Sequence, residues 1–174
     1  MKALFAVLVL CATASAQTVA SAPAVAPGCG SPNVKFDVKA EKSQHPMAQP
    51  ESGKAIVYFV EDDNSFESFP KPTTRIGADG VWVGANHGDS YFYFTVDPGE
   101  HHLCASWQSF VGFGMKETSA AAHFTADAGK AYYFRVKNVW LRDHGNGHIE
   151  LLPLDSDEGQ LLASKSALST SHPK

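Results

Sequence analysis

The chain has 174 residues, enough for one domain with flanking segments, and sets 14 basic against 18 acidic residues for a net charge of −4. The charges are scattered. There is no basic stripe to neutralise phosphates and no Lys/Arg-rich amphipathic helix, so neither nucleic acid nor a membrane surface is an expected partner.

Lys2 and the apolar run ALFAVLVLCATA at 3–14 read as a secretory leader. The run is shorter than the roughly 20 residues that span a bilayer. Ala14-Ser15-Ala16 is an A-x-A cleavage signal, so residues 1–16 are the expected signal peptide and Gln17 the expected mature terminus. Leu10 before Cys11 makes a poor lipoprotein cleavage site, and Cys29 lies well beyond the apolar run. A soluble exported protein, periplasmic or extracellular and not transmembrane after cleavage, is therefore expected.

Residues 17–52, rich in Ala, Pro, Ser and Gly, read as a flexible N-terminal segment, within which VKFDVKA at 34–40 can add a short strand. KAIVYFV at 54–60 is a β-branched and aromatic run suited to burial on both faces. A polar loop, 61–72, comes next. TTRI and VWVGA flank Asp79-Gly80, a strong hairpin signal. YFYFTV at 91–96, the turn DPGE, and HHLCASW at 101–107 read as a second hairpin. AAAHFTA at 120–126 and AYYFRVKNVW at 131–140 are strands around DAGK, and HIELLPL at 148–154 is the last. The expected fold is all-β: a single antiparallel β-sandwich of about seven or eight strands over 53–154, with turns at regular spacing. Residues 155–174 are a C-terminal short helix, then a frayed tail.

Side chains alternate between strand faces. Phe92, Phe94, Val96, Leu103, Ala105, Trp107, Ala122, Phe124, Tyr132, Phe134 and Val136 are then expected inside. Tyr91, Tyr93, His102, Cys104, His123, Tyr133, Arg135 and Lys137 are expected outside. Cys11 leaves with the leader, so Cys29 and Cys104 remain as an even pair in an oxidising compartment, and a disulfide Cys29–Cys104 is expected. Two free thiols, or an intermolecular pair through Cys29, are the alternatives.

The pieces SGKAIVYFVED, TTRIGADGVWVGANHGDSYFYFTVDPGEHHLCASW and TADAGKAYYFRV, in this order and spacing, resemble the bacterial domain of unknown function 2846 over roughly residues 51–155. That resemblance implies a small prealbumin-like (Ig-like) sandwich on an exported protein, often a lipoprotein. It implies no catalytic residue and no activity.

Candidate sites are few. His101, His102 and His123, with His87 in a nearby turn, are possible neighbours, and Asp143, His144 and His148 crowd one turn. Neither group has a metal-motif spacing, so exposed histidines and no metal or cofactor are expected. His102 and Cys104 share a strand face, but side chains two apart on a strand stand ~6–7 Å from each other, too far for a Cys–His pair. No enzyme is expected. Tyr91, Tyr93, Tyr133 and Trp82 on outer faces form the candidate ligand-binding platform for stacking on sugar rings or another protein, with ordinary cross-strand pairing as the plainer reading. The function expected is a non-catalytic cell-envelope accessory or protein-interaction domain. The alternative is a carbohydrate-binding module, so the partner is an envelope protein or a glycan.

Overall fold

A computed structural model describes residues 28–42, 47–67, 70–108, 118–141 and 147–174. The predicted leader, Asp143 and His144 lie outside them. The described residues form β1 (Phe36–Glu41), β2 (Ala55–Asp62), β3 (Thr73–Ala78), β4 (Val81–His87), β5 (Ser90–Val96), β6 (Gly99–Trp107), β7 (Ser119–Ala126), β8 (Ala131–Trp140), β9 (Gly147–Leu154), α1 (Ser156–Lys165) and β10 (Ala167–Pro173). A six-stranded sheet, β1-β10-β5-β2-β8-β9, faces a four-stranded sheet, β4-β3-β6-β7. This is the expected all-β sandwich, with eight of its strands between 53 and 154.

The central strand β2 shows why the sequence folds this way. Its continuous apolar run alternates between two apolar layers. Ala55, Val57 and Phe59 enter the core between the sheets with Ile76, Leu103, Phe134 and Val136. Ile56, Tyr58 and Val60 enter a second core on the outer side of the large sheet. Fully burying each such large side chain contributes about 1.5–3 kcal/mol. The β3–β4 hairpin closes at Asp79 and Gly80, whose φ angles of 51° and 83° match a two-residue turn with positive φ at both positions.

Three expectations are corrected. First, β5 and β6 do not form a hairpin. β5 pairs with β2 and β10, whereas β6 pairs with β3 and β7, so Asp97-Pro98 carries the chain from one sheet to the other. The inward-facing set is the same in either arrangement, which is why the pattern alone did not separate them. Second, the sheet is mixed: β2 runs parallel to β8, and β10 parallel to β5. Third, the sandwich extends past 53–154. β1, from the segment expected to be flexible, pairs along its length with β10, from the tail expected to fray.

The helix α1 starts directly after β9. Asp155 caps it, accepting from the main-chain N–H groups of Asp157 and Glu158 at 3.0 and 2.9 Å, which satisfies two donors that a helix start leaves open. Ala163 and Leu162 then pack onto Tyr58, Tyr91 and Tyr133. Among the described residues, no helix is long and apolar enough to cross a membrane.

Candidate functional site

The tyrosine platform is covered. Tyr91, Tyr93 and Tyr133 do share the outer face of the large sheet, as alternation predicts. They surround Tyr58 at ring-centroid distances of 6.2, 5.4 and 5.0 Å. However, α1 and the stretch around Met47 and Ala48 lie over them, leaving Tyr91 2 % and Tyr133 5 % exposed. Gly159 rests so closely on the Tyr133 ring that a Cβ there would come within 2.2 Å of it. Burial raises the Tyr58 phenol above its usual range, and its hydroxyl donates to the Ala48 carbonyl at 2.7 Å. Tyr58, Tyr91 and Tyr133 are thus part of a second core, with Tyr93 partly buried beside them.

Trp82 lies on the other outer face, where residues 28–34 form a strap across the small sheet. The disulfide Cys29–Cys104 anchors the strap, with Cα atoms 5.0 Å apart. Cys104 is fully buried beneath it. Closing a loop across a sequence separation of 75 stabilises by on the order of 4 kcal/mol in the chain-entropy description. Polar contacts hold the rest. The buried Arg75 donates to the carbonyls of Pro32 and Val34 at 2.8 and 2.9 Å, and Trp82 Nε1 donates to Ser31 at 2.7 Å. The Arg75 guanidinium stacks 4.5 Å from the Trp82 ring. Gln108 brackets Phe36, accepting from its N–H and donating to its carbonyl, both at 2.6 Å. Gly30 and Gly77 let the strap lie flat, since a Cβ at either would collide with Trp82 or with the Gly28 carbonyl.

The histidines are dispersed. His101 sits with Nδ1 at 2.6 Å from Asp79 and Nε2 at 2.7 Å from the Asp97 carbonyl. Both ring nitrogens face acceptors, so the imidazolium satisfies both. Burial opposes that charge, but the hydrogen bonds to Asp79 and Asp97 outweigh it and raise the His101 pKa. His102 and His123 pair across β6 and β7 with ring centroids 6.4 Å apart. His87 contacts Thr73 and the Pro72 carbonyl, and His148 contacts Glu150. Among the described residues, no group of three or more His, Cys, Asp or Glu side chains is positioned to hold a metal ion.

Two features went unread in the sequence. One is a groove of about 500 Å³ between β7, β8 and the β9–α1 junction. Phe124 and Tyr132, with ring centroids 4.9 Å apart, are its aromatic floor, and His123, Asp127, Lys130 and Asp155 bring polar groups to it. The other is a buried carboxyl–amide cluster at the end of the sandwich. Glu61 and Asp63, which read as the start of a solvated loop, are 2 % and 1 % exposed. Asn138 Nδ2 donates to Glu61 Oε1 at 2.8 Å and to Asp63 Oδ1 at 2.7 Å. Burial pushes Glu61 well above the carboxylate range, with the Asp63 charge adding to it, and burial pushes Asp63 to about 6. A buried oxygen left without a donor costs about 1–3 kcal/mol. Glu61 Oε2, Asp63 Oδ2 and Asn86 Oδ1 are three such atoms.

Fold and site together define a disulfide-strapped all-β sandwich with two cores and a solvent-open aromatic groove. A sequence profile described as "Protein of unknown function (DUF2846)" matches residues 51–146, more than half of the chain, and the protein belongs to that family. No curated protein and no solved structure matches it.

Proposed function

We propose that this protein works outside the cytoplasm as a non-catalytic accessory domain that binds another component of the cell envelope. The observation that carries this reading is the Cys29–Cys104 bond under the strap. A bond on which the whole outer face of a sheet is organised suits an oxidising compartment, in keeping with the leader-like residues 1–16. Glu61 and Asp63, which share the Asn138 amide, lie inside the fold, where a substrate would not meet them.

The groove beside β7 is the surface offered to a protein partner. A second reading, a carbohydrate-binding module, moves there from the covered tyrosine face. The Phe124–Tyr132 ring pair beside Asp127 and Asp155 combines a stacking surface with hydrogen-bond acceptors, as sugar rings require.

A photo-crosslinking residue at Lys130, in cells, tests this. It should trap an envelope protein, whereas the same residue at the exposed Lys39 on β1 should trap none. Glycan-array binding by the purified chain, lost in Tyr132→Ala, would replace the first reading with the second. Identical adducts from both positions, with no glycan bound, would contradict both.

A further inference from the structure

Glu61 is the penultimate residue of β2, Asp63 comes just after the strand, and Asn138 lies beside them on β8. Trp107 Nε1, which can only donate, points at Asn138 Oδ1 at 2.6 Å. The Asn138 amide is thereby oriented, with its NH₂ group forced onto both carboxyls. Thr74 completes the arrangement, accepting from Asn138 Nδ2 at 3.3 Å and donating to Glu61 Oε1 at 3.1 Å. The two carboxyls are thus hydrogen-bonded to one nitrogen, each keeping one buried oxygen without a donor. Asn86 is the cross-strand partner of Thr74. It donates to the Phe59 carbonyl at 3.2 Å, and its own oxygen also lacks a donor.

Lys71 and His87 favour the Asp63 carboxylate in part, but burial outweighs them. Lys71 Nζ donates to the main-chain carbonyls of Asp63 and Phe66. Asp89 accepts from the Asp63 N–H at 3.3 Å, bringing a further negative charge. The His87 ring is engaged with Thr73 and Pro72. Two ionised carboxylates sharing one dry site repel strongly, and among the described residues Glu61 Oε2 and Asp63 Oδ2 have no hydrogen-bond donor; a proton on one of them supplies a missing donor and removes a charge.

The segment after Asp63 is tied to the end of β8. Phe66 N–H donates to the Asp63 carbonyl, Glu67 N–H to the Trp140 carbonyl, and Trp140 N–H to the Ser65 carbonyl, at 3.0, 3.0 and 2.9 Å. The Phe66 ring is 1 % exposed and meets Trp107 edge-on at 5.7 Å. The cluster and this segment therefore share Trp107 and Asp63.

We infer that Glu61 and Asp63 form a proton-holding lock: with a proton on the pair, residues 63–67 stay docked along the end of β8, and loss of that proton releases them and uncovers Phe66. An exported protein meets unbuffered pH, so such a lock would expose an apolar anchor in alkaline surroundings and hide it in acidic ones.

Hydrogen exchange of the oxidised, full-length chain between pH 5 and 8, corrected for intrinsic rates, tests the lock. Protection of the Phe66, Glu67 and Trp140 amides should fall at least tenfold across that range while β2 stays protected. In the doubly neutral Glu61→Gln/Asp63→Asn variant it should change less than twofold. A flat wild-type profile overturns the lock, and so does the same fall in the variant, which would assign it to another group. If the variant does not fold, carboxyl-carbon NMR of the wild type decides. One of the two groups still protonated above pH 6 supports the lock, and both ionised at pH 5 overturns it. Calcium added at pH 8 should leave exchange unchanged. Protection restored by calcium would mean that the unpaired oxygens hold a cation, and would also overturn the proton lock.

Discussion

His101 and Asp79 bind the β3–β4 turn to β6, and their titration has a definite sign. The His101 pKa is raised above 6.5, so its contribution is fully present below that value and is lost as pH rises through the raised one. The Asp79 carboxylate is lowered below 3.8: burial opposes the charge, but the hydrogen bonds from His101 and His102 prevail. Its contribution is present above 3.8 and is lost only as pH falls through the lowered value. Denaturant unfolding should therefore show weakening stability above about pH 6.5, and His101→Gln should reduce that slope. Glu61 and Asp63, both raised, weaken stability in the same direction, the Asp63 part between 3.8 and about 6 and so before the His101 window opens. At Gly159 the residue scale reverses a rule. Gly→Ala inside a helix normally stabilises by about 0.5–1 kcal/mol. Here the added Cβ meets the Tyr133 ring at 2.2–2.6 Å, so Gly159→Ala should destabilise by roughly 1–3 kcal/mol through overpacking, measured as a lower unfolding midpoint.

Among the elements, the strap and α1 decide which faces remain open. Alternation assigned Tyr91, Tyr93, Tyr133 and Trp82 to outer faces, and the structure agrees. It was silent about covers, because a cover is a long-range contact: α1 over the tyrosines, residues 28–34 over Trp82. The same limit explains DPGE. Pro98 and Gly99 announce a reversal, but whether the next strand pairs with β5 or crosses to the facing sheet depends on partners far away in sequence. Asp79-Gly80 was readable because the turn and its pairing are both local. The acids of EDDN carried no warning, since three consecutive carboxyls ordinarily mean solvent, and the partners of Glu61 and Asp63 inside the fold, Thr74 and Asn138, lie further along the chain. Cysteine parity did foresee the Cys29–Cys104 bond. Cys29→Ser should lower stability by on the order of 4 kcal/mol in the chain-entropy description, less any compaction of the unfolded chain. Denaturant unfolding followed by tryptophan fluorescence checks this. Reducing the wild type should give the same loss, and loosening should begin at the strap.

For the whole molecule, the first and last strands of the described residues complete one sheet edge. β1 pairs with β10, while the strap that precedes β1 is bolted to β6 through Cys104. The family match begins at residue 51, so the strap and β1 are additions to the matched region that the disulfide makes part of the same body. Export and the bond stand together in this account, because the bond requires a compartment in which it can form. The most direct measurement is rapid thiol alkylation of intact cells, followed by fractionation and mass spectrometry of the protein. The expected result is a chain beginning at Gln17 in the exported fraction, with Cys29 and Cys104 unalkylated and joined. A full-length cytoplasmic chain with both cysteines alkylated would contradict it.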